Sequence, residues 1–288
     1  VRTSFTVCTL LCFAIENRIV FPAFLAQYAA GCFLAVAVSA IRQCGWQYLR
    51  LMAIVSTAVA VLSVVFLIRE AGGLAAGSHL GAAWYLAAGV LFGFAWLFVN
   101  AAQGENIGRA QRLCPAAAGL ASLAAAIILA LRSGPAAATV EAAASSLHSI
   151  ALGASTALGA ALLGVATAGM LLGHRYLTDT DMPMAPLRRL ARVYLGVVGV
   201  RIAWVAVASV PLWSPQFRPT DVFFFWLALS VRVGVGLVTV GIFAWMAWDC
   251  VRRRATQSAT ALFYLSMLLV VIGELAGQFL MRSESLPL

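Results

Sequence analysis

Lysine is absent from this 288-residue sequence, and acidic residues number only ten. Charged residues make up 10% of the chain, against roughly 25% in an average soluble domain. So sparse a charge cannot cover a water-facing surface, and water-soluble enzyme folds are excluded. Motifs for soluble chemistry are also missing: there is no GxxxxGK[ST] phosphate loop, HExxH zinc helix or GxSxG elbow. Neither a CxxCH heme attachment nor a ferredoxin-type cysteine run occurs. An enzyme acting on its own is therefore not expected, and no residue is assigned as catalytic or as a metal ligand. The six cysteines, Cys8, Cys12, Cys32, Cys44, Cys114 and Cys250, show no CxxC or Cys/His zinc spacing. Cys8 and Cys12 share a helix face, but the expectation is free thiols.

What the chain has in abundance is apolar sequence: 63% of residues are hydrophobic and mean hydropathy is +0.96. A window of about twenty residues places spans at 4–15, 19–41, 51–68, 81–102, 115–132, 146–173, 190–212, 222–249 and 260–281. No polar stretch is long enough to build a soluble domain. The expected fold is an all-α integral membrane protein, a bundle of 8–9 transmembrane helices, with residues 1–288 forming a single polytopic transmembrane domain. The first run is short and is followed by Glu16-Asn17-Arg18. It reads as a truncated span, an interfacial helix or an uncleaved anchor, since its flank lacks the small-residue cleavage pattern of a signal peptide.

All basic residues are arginine, and they give a net charge of +9. Most lie in short connections between apolar runs, so the charge reports topology, and no nucleic-acid partner is expected. With the N-terminus cytoplasmic, alternate connections collect Arg2, Arg42, Arg50, Arg109, Arg112, Arg175, Arg188, Arg189, Arg192, Arg252, Arg253 and Arg254. The opposite side holds Arg18, Arg69, Arg132, Arg218 and Arg282. Twelve against five fits the positive-inside rule. The expected location is the bacterial inner membrane, multi-pass, with the C-terminus periplasmic if there are nine spans.

Three charges fall inside the runs themselves. Arg201 lies in LARVYLGVVGVRIAWVAVASVPLW, Arg232 in VFFFWLALSVRVGVGLVTVGIFAWMAW and Glu274 in ALFYLSMLLVVIGELAGQFLM. A charge near the bilayer centre costs at least ~2.5 kcal/mol on the gentlest scale, so three on consecutive spans point to a buried ionic cluster. At ~1.5 Å per residue they fall within roughly 10 Å of a common depth. Neighbours at helical spacing extend the polar faces: Tyr194 and Trp204, Thr239, and Ser266 and Gln278. A structural Arg–Glu lock would satisfy the charges without chemistry. A ligand or proton site is the other reading, because two arginines against one carboxylate leave a positive excess. That excess suits a quinone carbonyl, a heme propionate or an anionic substrate.

The histidines are His79, His148 and His174. His148 and His174 lie on one helix, about 39 Å apart along its axis, and cannot share a cofactor. His79 and His148 begin two different spans at the outer face, where they could contact a quinone or ligate a b-type heme; interfacial polar residues are the plainer reading. His174-Arg175 ends a helix, where a cation is favoured, so it reads as a cap. Thr178, Asp179, Thr180 and Asp181 after it could cap the next element or meet a partner. The glycine-rich sixth and eighth spans suit close helix packing in lipid.

Two segments resemble the membrane anchor subunits of DMSO and polysulfide reductases, the quinol-interacting anchor family. FPAFLAQYAAGCFLAV, with Gln27 and Gly31 at Gln-x-x-x-Gly spacing after a phenylalanine, is similar to that family's first helix. LVVIGELAGQFLM is similar to its terminal Gly-Glu-x-x-Gly helix. Gln278 stands where the family carries a basic residue, and His79 lacks the family's following polar, proline-ended connection. The resemblance implies a non-catalytic membrane subunit of a multi-subunit electron-transfer complex, anchoring redox partners and exchanging electrons with quinone. Quinone is then the first cofactor expected and heme b the second. The partners expected are membrane lipids and redox subunits. The residues expected to carry the role are Arg201, Arg232, Glu274, Gln278 and His79. The competing functions are a small-molecule or ion transporter using the mid-membrane Arg/Glu site and a purely structural or assembly subunit.

Overall fold

A computed structural model describes residues 20–38, 44–70, 80–103, 110–131, 142–179, 182–213, 219, 221–284 and 286–288. Among them the architecture is all helical, without strands. The helices are α1 (Val20–Val38), α2 (Trp46–Glu70), α3 (Leu80–Gln103), α4 (Ala110–Leu131), α5 (Ala142–Thr178), α6 (Ala185–Ala208), α7 (Val222–Arg252) and α8 (Thr256–Ser283). The seven from α2 to α8 are long and apolar enough to cross a membrane, and α1 is a shorter apolar helix. This is the architecture of a multi-pass membrane protein. The apolar run at 4–15 lies outside the described residues.

Local chemistry sets several helix ends. Pro186 opens α6, where its fixed φ suits the first turn and its missing N–H costs nothing. Arg188, Arg189 and Arg192, expected before the span, therefore belong to the helix itself. Asp221 caps α7, its carboxylate accepting from the backbone N–H of Phe223 (3.0 Å) and Phe224 (3.2 Å). The turn from α7 to α8 is tight because Arg254 takes a left-handed φ of 62°. There the Ala255 N–H closes on the Cys250 carbonyl at 2.9 Å, a Schellman-type stop.

α1 sits at the centre, packed against α2, α4, α5 and α8. Ala23 to Ala26, Ala29, Ala30, Cys32, Phe33 and Val36 are all buried, as expected of a helix that is apolar all round. The outer helices turn large apolar side chains outward: Trp84 and Phe98 on α3 and Phe223 and Trp245 on α7 are 62–75% exposed. Such a surface suits lipid.

Small residues set how close the helices come. Gly31 of α1 meets Ala160 and Gly164 of α5 so tightly that a Cβ on either glycine would overlap the opposing backbone. Gly236 of α7 and Gly273 of α8 meet in the same way. Between Val231 and Thr239, α7 winds as a π-helix, a rare form that is frequent at functional sites. The stretch starts beside Arg232, and Thr239 returns its hydroxyl to the Gly234 carbonyl at 2.9 Å.

Gly164→Leu should destabilise the protein in detergent by more than about 2 kcal/mol, because the α1–α5 crossing has no room to adjust. Gly199→Ala, where an added Cβ meets nothing within 4 Å, should be neutral or raise stability by up to ~1 kcal/mol. Thermal unfolding of the two variants in the same detergent measures both.

Candidate functional site

The in-membrane charges converge. Glu274 faces inward from α8 at 1% exposure, and it meets Arg201 of α6 (1%) and Arg232 of α7 (0%). Arg201 binds it as a fork: Nε donates to Oε1 at 3.2 Å and Nη2 to Oε2 at 3.0 Å. Arg232 donates Nη1 to Oε1 at 2.8 Å and to the Gly273 carbonyl at 3.1 Å. Gln27 of α1 adds a fourth donor, Nε2 to Oε2 at 3.4 Å. Gln278, one turn beyond Glu274, donates in turn to Gln27 Oε1. Both carboxylate oxygens are thus engaged from three other helices.

Arg201 is satisfied on its remaining side by Ser155 Oγ (2.9 Å) and the Leu288 backbone oxygen (3.3 Å). The residues after α8 fold back to reach this point, and Trp204 Nε1 fixes them by donating to the Pro287 carbonyl at 3.0 Å. Gly159 of α5 makes the room: a Cβ there would collide with both Gln27 and Glu274.

The other donors are not so well met. Nε and Nη2 of Arg232 have no hydrogen-bond acceptor among the described residues. The same holds for Nε, Nη1 and Nη2 of Arg282, which is only 4% exposed. Sequence reading places Arg282 in an outer connection; the structure buries it on α8. It lies eight residues beyond Glu274, at the i, i+4, i+8 positions that also carry Gln278, so all three share one face. The spacing was a usable signal, but the hydropathy window places the end of the span at 281, just short of Arg282. Arg201 and Arg232 therefore share the Glu274 carboxylate, while Arg282 is buried on the same helix without an acceptor among the described residues. The site is rich in donors, and an oxygen-bearing anion or a carbonyl is the chemistry it can meet.

Gln27, Ser155 and Gly159 join the site without having been picked out by charge. Gln27 stood only in the family-like segment, and Ser155 is one hydroxyl among many in α5. Tyr194 lies about two turns before Arg201 on α6, its ring 5.8 Å from that of Phe263. Thr239 bonds its own helix instead of Arg232.

The histidines are placed elsewhere. His148 is exposed near the start of α5. His79 lies outside the described residues, so its pairing with His148 does too. His174 is exposed, with Nδ1 3.2 Å from the Tyr264 hydroxyl. Arg175 and Asp179 pair at 3.1 Å across the end of α5. Among the described residues no group of three or more His, Cys, Asp or Glu comes together. Cys32, Cys44, Cys114 and Cys250 are free. At the arginine-rich end, burial pushes the Cys44 thiol up to about 11, while Arg189 nearby pulls it down.

No protein-family model, curated protein or solved structure matches the chain.

Glu274→Gln should destabilise the fold by about 3–5 kcal/mol, because it strands two buried guanidinium groups. Adding Arg232→Met to that variant should restore part of the loss. Arg232 has the fewer alternative acceptors, whereas Arg201 keeps Ser155 and Leu288. A double-mutant cycle by thermal unfolding measures the coupling; additive losses would show that Glu274 and Arg232 are energetically independent.

Proposed function

We propose that the chain is a non-catalytic membrane subunit of a multi-subunit electron-transfer complex, one that anchors redox partners and exchanges electrons with quinone. The observation behind this reading is a convergence. The two segments that resemble the quinol-interacting anchor family lie at opposite ends of the described chain, yet Gln27 of the first bonds Glu274 of the second. Gln278 bonds Gln27, and Gly31 of the first segment seats the same helix against α5. The residues that make the resemblance form one buried unit, as parts of a shared site would.

In this reading Glu274 holds the site together. Both of its oxygens are engaged by arginine and amide donors, so a proton could reach it only by breaking one of those bonds. The free donors, Nε and Nη2 of Arg232, are the groups assigned to a quinone carbonyl, which needs hydrogen bonds as it gains electron density. A conducting path through the triad suits the geometry less well, since its three members are at most 1% exposed. The further elements of the proposal are α1 as an eighth span, the run at 4–15 as the ninth, the arginine-rich connections in the cytoplasm and residence in a bacterial inner membrane.

The protein purified from its native membrane in mild detergent should bring with it a subunit carrying an iron–sulfur or heme centre, and quinol should reduce that centre. Gln27→Leu should slow the reduction about tenfold, the equivalent of ~1.4 kcal/mol at the barrier, while the partner stays bound. Purification without any redox partner, together with substrate-driven flux in liposomes, would replace this proposal with a transporter.

A further inference from the structure

Away from the triad, a cavity of about 200 Å³ opens on the flank of α5, where α1 and α6 pack on either side of it. Its lining is apolar, with Ala35, Val165, Leu190 and Val193 among the walls, and Arg189 stands near one end, one turn inside Pro186. On α6 the lining runs from Pro186 to Val197, a stretch of about 16 Å of helix. A single leaflet contributes about 15 Å, half of the ~30 Å hydrocarbon core. The recess therefore has the length and polarity to hold one acyl chain lying along the membrane normal, with protein on three sides of it.

Its arginine end is strongly basic. Arg189 and Arg192 are exposed, and Arg188 has a buried Nε without an acceptor among the described residues. Arg175 approaches Gly45 at the same end and is paired with Asp179. Asp179 is thus already committed. A phosphate at this end would meet Arg189, the guanidinium group that lines the cavity, with Arg188 and Arg192 adding positive charge from the same end of α6, and such charge recognises anionic headgroups.

We infer that this groove is a binding site for a phospholipid with an anionic headgroup, one acyl chain lying along α5 between α1 and α6 and the phosphate on Arg189. The inference does not depend on the electron-transfer reading. It differs from general lipid contact in two respects: the chain is enclosed, so its many weak dispersion contacts add up, and the headgroup is selected by charge.

Native mass spectrometry of the full chain, released from detergent with phosphatidylglycerol or phosphatidylcholine of identical acyl chains, tests the site. The protein should retain one phosphatidylglycerol in at least about fivefold preference, the fold-change that one surface arginine gives. Arg189→Gln should bring the two lipids toward parity, and Arg189→Lys should keep the preference. Val193→Trp, which fills the groove, should reduce retention of both lipids. Leu190→Trp takes its place if the first variant melts at a lower temperature. Equal retention of both lipids by the unaltered protein would overturn the proposal. So would a preference that survives Arg189→Gln and both tryptophan variants, or a co-purified isoprenoid quinone that phosphatidylglycerol does not displace.

Discussion

In lipid, the bond between Glu274 and its two arginines has no competing solvent, and the arrangement of α1, α5, α6, α7 and α8 follows from it. A lone charge at this depth costs several kcal/mol, and a broken pair costs more than a pair never built. The helices are therefore fixed in rotation and depth: α6 must turn Arg201 inward, α7 must turn Arg232 inward, and α8 must hold Glu274 between them. Gln27 and Ser155 fill hydrogen-bonding positions that would otherwise be empty. Apolar contact alone could not specify this, since a leucine meets lipid and protein on similar terms.

Polar bonding of this kind requires close backbones, and the small residues supply them. The Gly31–Gly164 and Gly236–Gly273 crossings bring α1 to α5 and α7 to α8 until backbone meets backbone. Side chains as short as serine and glutamine can then reach across. The π-helical stretch of α7 serves the same end. It starts at Val231, so Arg232 sits where the helix changes winding and its side chain can reach both Gly273 and Glu274.

The helices were legible because long apolar runs have few alternatives, and Arg201, Arg232 and Glu274 were legible because they interrupt such runs. Helix ends were less so. Hydropathy starts α6 at Leu190, but the helix begins at Ala185, since polar residues at the membrane surface stay helical while leaving the apolar window. Gln27 and Ser155 carry no charge and look like ordinary helix residues, so only the folded geometry identifies them. Arg282 was misplaced for the same reason that helix ends were: near the end of a run, a hydropathy window cannot separate a side chain turned to solvent from one turned inward. The π-helix has no signature in composition at all.

The order of synthesis gives the triad a temporal side. Arg201 leaves the ribosome 73 residues before Glu274 and Arg232 leaves it 42 before. At about 5–20 residues per second the first arginine waits roughly 4–15 s for its carboxylate. During that interval the cations of α6 and α7 are unmatched, and their valines and leucines offset the cost of insertion. A ribosome that stalls before α8 would leave two helices carrying unpaired cations, a chemically distinct product that membrane quality control can recognise. The ionic centre thus distinguishes chains that include α8 from chains that stop before it, whatever the protein goes on to do.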